Sequence, residues 1–133
     1  MKNDLNIVFK SQDEHFGDLE KVLKGNTKKV QPKNVIYFAS YKDFQKFLFP
    51  RLGILLAIKR HNPQSIYELA KFVERDVSTL VKDCNALATL GFITLEEAGD
   101  SRGSKIPKLR FNYSRIMVHA PKLGPHALVL DAA

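Results

Sequence analysis

Apolar positions change period several times along the chain, and each change predicts an element. Leu5, Ile7 and Phe9 alternate with polar Asn6, with Val8 blurring the pattern, as in a short strand. Ser11 has the character of an N-cap, with Glu14 three residues on. Phe16, Leu19, Val22 and Leu23 then recur at helical spacing until Gly25. Thr27 to Lys33 is a polar, lysine-bearing loop, and Val35-Ile36-Tyr37-Phe38 follows as a second strand. Such a strand–helix–strand is too small to be stable alone and should pack on the rest of the chain or on a second subunit.

The next stretch has the helical period. Ser40 with Asp43 resembles a cap before Phe44, Phe47 and Leu48, which predicts a helix over about Tyr41 to Phe49, with Pro50 leading into the next. Leu52, Leu55, Leu56 and Ile58 form the stripe of that second helix, which closes at His61-Asn62-Pro63. Ser65, with Glu68 at the box position, caps a short helix whose apolar residues are Ile66, Leu69, Ala70 and Val73. Arg75 is the turn and Asp76 the next cap. Val77, Leu80, Val81, Cys84, Leu87 and Ala88 then share one helix face, and Gly91 ends the helix.

After Gly91 the period becomes two. Phe92 to Glu96 reads as a strand, Ala98 to Ser104 as a loop of turn formers, and Pro107 to Tyr113 as a strand with Leu109, Phe111 and Tyr113 inward. Ile116 and Val118 add a short third strand. The expected fold class is therefore α+β, a winged helix-turn-helix with an amino-terminal strand–helix–strand extension. Its divisions are residues 1–39, a candidate dimerisation module; residues 40–118, the winged helix-turn-helix; and residues 119–133, a tail with a late apolar cluster, Ala127 to Leu130.

Charge sharpens this picture through its distribution. The chain carries 21 Lys+Arg against 14 Asp+Glu, a net +7 that favours a polyanionic partner. Residues 1–49 hold +3, residues 50–97 balance at zero with six basic and six acidic residues, and residues 98–133 hold +4. No apolar run approaches the ~18 residues of a membrane span. The single Cys84 suits a reducing interior, so a cytoplasmic protein without membrane partners is expected. The histidines His15, His61, His119 and His126 are far apart and lack metal-ligand spacing. No phosphate loop, nucleophile elbow or carboxylate pair with catalytic spacing stands out, so neither an enzyme, a metal nor a cofactor is expected.

The candidate chemistry lies on the third helix of the helical stretch. Stepping 100° per residue from Val77, the face opposite the apolar stripe collects Ser78, Thr79, Lys82, Ala86 and Thr89, flanked by Asn85 and Asp83. In a helix-turn-helix this second helix of the pair enters the major groove, where hydroxyls, amides and ammonium groups read base edges or hold phosphates. A solvated helix face has the same composition. The adjacent loop carries Arg102 and Lys105, with Lys108 and Arg110 on the following strand, as a wing tracking phosphates would. The candidate DNA-binding set is thus Ser65, Arg75, Ser78, Thr79, Lys82, Asn85, Arg102, Lys105, Lys108 and Arg110.

The segments Ser65-Ile66-Tyr67-Glu68-Leu69-Ala70, Arg75 to Asp83 and Leu87-Ala88-Thr89-Leu90-Gly91-Phe92-Ile93 resemble MarR-like winged-helix proteins. The similarity covers about Phe38 to Val118 and is greatest to predicted prokaryotic transcriptional regulators, some of which resemble antitoxins. It implies a homodimer that binds double-stranded DNA and represses transcription, with Ser78, Thr79 and Lys82 in the recognition helix. Two alternatives stay open: an antitoxin that also binds a toxin protein, and a winged helix that binds an acidic protein partner.

Overall fold

The computed structural model describes residues 4–10, 34–100 and 103–130, and the architecture is α+β. The described elements are β1 (Asp4–Phe9), β2 (Val35–Phe38), α1 (Tyr41–Leu48), a 3-10 turn (Phe49–Arg51), α2 (Leu52–His61), α3 (Ile66–Leu69), α4 (Val77–Leu90), β3 (Ile93–Glu97), β4 (Lys105–Leu109), β5 (Arg115–Ala120) and β6 (Gly124–Val129). The helix expected from Ser11 to Gly25 lies outside the described residues, as does Arg102.

The helix ends follow from capping. Ser40 and Ser65 accept the N–H groups of Asp43 (3.1 Å) and Glu68 (2.9 Å), and Asp76 accepts that of Thr79 (3.1 Å). Each cap thus satisfies a donor with no partner inside its helix. Asn62 and Gly91 close α2 and α4 in the left-handed region, at φ 46° and 98°. An added Cβ at Gly91 would lie 2.6 Å from Arg110 Nη1, so glycine there allows both the turn and the close approach of the guanidinium.

Two sheets follow. β3 and β4 form an antiparallel hairpin with Ile93 opposite Leu109 and Glu97 opposite Lys105. The other sheet has the order β2-β1-β5-β6, with β1 parallel to both β2 and β5, and β6 antiparallel to β5. All the described helices and the hairpin are therefore inserted between two strand pairs of one sheet. Leu5, Ile7, Ile36, Phe38, Ile116 and Val118 from this sheet share a buried cluster with Phe44, Leu48, Leu55, Leu80, Leu87 and Phe92.

This arrangement corrects three expectations. The tail set at residues 119–133 begins inside β5, and its apolar cluster Ala127 to Leu130 supplies half of β6 and the buried Leu130. The strand expected over Pro107 to Tyr113 instead runs from Lys105 to Leu109, with Arg110 N–H to Phe92 O at 3.2 Å as the last bond to the facing strand. Burial still alternates beyond it, and Tyr113 is fully buried with its hydroxyl donating to Phe92 O at 2.8 Å. Finally, within the candidate dimerisation module β1 has no open edge to offer a second subunit, since β2 and β5 occupy both its edges. Among the described residues the sheet's outer strands are β2 and β6. Leu130 N donates to Ser114 O, so by ladder alternation Pro125 turns its missing donor toward the outer edge of β6 and blunts it.

At the sheet's centre Asp4, only 7% exposed, accepts two hydrogen bonds from Arg115, from Nε at 2.7 Å and Nη2 at 3.0 Å. These bonds and the guanidinium charge hold the Asp4 carboxyl below the usual carboxylate range. A carboxylate whose folded pKa is depressed contributes stability at neutral pH that is lost as pH falls through the folded value. Asp4→Asn is therefore expected to lower stability at neutral pH and to flatten its decline on acidification. Urea midpoints measured between about pH 7 and pH 3 check this. Parallel pH curves for the two proteins would contradict it.

Candidate nucleic-acid interface

α4 is anchored through Asp83. This carboxylate accepts from Arg51 Nε on the 3-10 turn (3.1 Å) and from Arg75 Nη1 in the turn before α4 (2.7 Å). Arg75 Nη2 also donates to Pro50 O. Arg51 Nη1 donates to Phe47 O at 2.7 Å, with the guanidinium 4.5 Å from the Phe47 ring centre. The side chain of Asp83 is 14% exposed and those of its partners about a quarter exposed, so the clasp is screened less than a surface pair. It ties α4 to the α1–α2 junction and fixes which face of α4 is presented. Leu80, Cys84 and Leu87 face the core, and burial pushes the Cys84 thiol up to about 12, leaving it unreactive.

The opposite face carries Ser78, Thr79, Lys82, Asn85 and Thr89, all exposed or partly so. Ser78 Oγ donates to Asp76 Oδ2 at 3.3 Å, the Thr79 side chain also bonds the Asp76 carboxylate, and Thr89 Oγ1 bonds back to Asn85 O at 2.8 Å, leaving the Lys82 and Asn85 side chains open to solvent. Val81, placed on the buried stripe by its periodicity, is 36% exposed and borders this face.

The other candidates are distributed more widely. Ser65 is occupied as a cap, and Arg75 is held in the Asp83 clasp. On the hairpin, Lys105 is ion-paired with Glu97, and Lys108 lies 3.7 Å from Glu96. All four side chains are at least 42% exposed, so water screens these pairs and a stronger anion can displace them. Arg110 sits five residues beyond Lys105, about 16 Å of extended chain, and rests on Gly91 at the other end of α4. The structure thus gathers Ser78, Thr79, Lys82 and Asn85 on one face and sets Arg110 apart from them. The periodicity reading missed the exposed aromatic pair in which His61 stacks on Phe72 (3.8 Å, 7°) and the 70%-exposed Tyr67 on α3. Tyr67, opposite the buried Ile66 and Leu69, was readable from helix spacing.

Among the described residues no cluster of His, Cys, Asp and Glu could hold a metal ion, and no helix is long and apolar enough to cross a membrane. No curated protein and no solved structure matches the chain. A family model described as HVO_A0114 matches residues 50–118, which run from the 3-10 turn through α4 and the hairpin into β5. That match takes in the clasp, the exposed face of α4 and both hairpin strands, and it covers more than half of the sequence: the chain belongs to the HVO_A0114 family.

Proposed function

We propose that the protein is a sequence-specific double-stranded DNA-binding regulator of transcription, a repressor acting as a homodimer through a winged helix-turn-helix. The observation that carries this is the exposed face of α4, Ser78, Thr79, Lys82 and Asn85, held by the Asp83 clasp and followed by a hairpin bearing Lys105 and Lys108. In this reading α2 supports the motif, α3 crosses the backbone, α4 enters the major groove and β3–β4 is the wing. The resemblance of residues 65–93 to MarR-like proteins supports the same assignment and the dimer. An operator half-site would then recur about 34–36 Å away, one helical turn of DNA.

Selection of bound fragments from genomic DNA, followed by footprinting, tests this directly. The expected result is an enriched inverted repeat with that spacing, protected at nanomolar protein in physiological salt. Binding that falls with salt alike for every fragment, with no motif enriched, would overturn specific regulation.

A further inference from the structure

β6 is an outer strand of the four-stranded sheet, paired to β5 alone, and among the described residues no strand pairs with its other edge. Its open groups follow from the ladder. Leu130 N donates to Ser114 O, so by alternation Pro125, Ala127 and Val129 turn their backbone groups away from β5. Pro125 blunts the end next to the β5–β6 turn. The other end stays open, with the N–H and C=O groups of Ala127 and Val129 directed outward. β6 is also held in place, since Tyr41 Oη lies 3.3 Å from His126 Nε2 and Leu130 is buried. Sheet edges are normally guarded by charge, lysine above all. The sequence of β6, Gly-Pro-His-Ala-Leu-Val, has no lysine, arginine or carboxylate, and Val129 is 64% exposed.

We infer that this edge is where two copies of the chain meet, β6 against β6, in one continuous antiparallel sheet. A strand paired with itself about a two-fold axis is necessarily antiparallel, and its contacts are self-complementary. With the axis beside Leu128, Ala127 of each copy exchanges hydrogen bonds with Val129 of the other, and Pro125 is left outside these pairs. The two Leu128 side chains then face each other on the core side of the sheet, where Leu128 already packs against the buried cluster. Charge favours the same edge. Copies of a chain with net charge +7 repel, and an uncharged strand gives them their least costly approach. The axis stands perpendicular to the sheet, so both copies keep their helices on one side of it.

The inference rests on the homodimer of the proposed function and names its interface, and it is tested without DNA. Sedimentation velocity is run from low to high micromolar protein on the unaltered chain, Ala127→Pro and Val129→Lys. The unaltered chain is expected to form a dimer whose fraction grows with concentration. Ala127→Pro removes a donor that β5 does not use, and Val129→Lys sets a charge on the edge. Each should raise the dissociation constant about tenfold or more, because the two-fold doubles every change, while the far-ultraviolet circular dichroism stays that of the unaltered chain. Lys82→Ala is expected to dimerise normally. Amide exchange on the unaltered chain should show protection of β6 that grows with protein concentration, and none that grows in the hairpin. A chain that stays monomeric throughout would overturn the interface and the homodimer together. A dimer retained in both folded variants, or concentration-dependent protection confined to other elements, would overturn the β6 interface and leave the homodimer standing.

Discussion

Replacing Phe44 by alanine is expected to remove about 3–5 kcal/mol of stability, the usual cost of deleting a buried phenyl ring. Phe44 is fully buried on α1. Its ring packs edge-on against Phe9 of β1 (5.9 Å) and Phe38 of β2 (5.5 Å), and it also meets Tyr41 (5.9 Å) and Phe49 (6.1 Å). The same network continues to the hairpin, with Phe47 stacked on Phe92 at 5.9 Å and Phe38 at 6.4 Å from it. The four-stranded sheet and the helices therefore share one core. Against a total stability of about 5–15 kcal/mol, the variant should shift the denaturant midpoint strongly while retaining one cooperative transition. Far-ultraviolet and near-ultraviolet circular dichroism are expected to report the same midpoint. Two resolved transitions would mean that the sheet unfolds as a separate module, and that the aromatic contacts do not couple it to the helices.

That coupling marks the limit of what local pattern reveals. The starts of α1, α3 and α4 and the end of α4 were readable because each is decided within a few residues, by Ser40, Ser65, Asp76 and Gly91. β1 and β2 were readable from alternation. Their place in a sheet with β5 was not: Asp4 pairs with Arg115 across most of the chain, and no local period encodes a partner so distant. The alternation over residues 107–113 reported burial faithfully but not hydrogen bonding, since exposed Asn112 still sits between the inward Phe111 and Tyr113 after the last bond of the ladder, Arg110 N–H to Phe92 O.

The candidate interface divided the same way. Helical periodicity located Thr79, Lys82 and Asn85 because exposure on α4 follows from angle alone. It could not separate Arg75 from them, because the use of Arg75 depends on Asp83 and Pro50, which belong to two other parts of the chain. The hairpin lysines likewise read as a basic wing, whereas each is set beside a glutamate on the facing strand.

If α4 reads bases and the hairpin meets phosphates, opposite changes should follow from substitutions on the two elements. Thr79→Ala with Lys82→Ala removes two exposed side chains from α4 without touching the core or the clasp. It is expected to weaken binding to the preferred sequence roughly 10- to 100-fold, at about 1–3 kcal/mol for a lost base contact, and to relax the preference itself. Glu96→Gln with Glu97→Gln removes the carboxylates beside Lys108 and Lys105. That change should tighten binding to every sequence alike and steepen the salt dependence by about 0.9 for each phosphate that a released lysine neutralises. Titrations of specific and scrambled duplexes over a series of salt concentrations separate the two effects, because selectivity is a difference between sequences and counterion release is not. Unchanged selectivity in the α4 variant would remove α4 from the groove. An unchanged salt slope in the glutamate variant would leave Lys105 and Lys108 as surface ion pairs and take the hairpin out of the DNA interface.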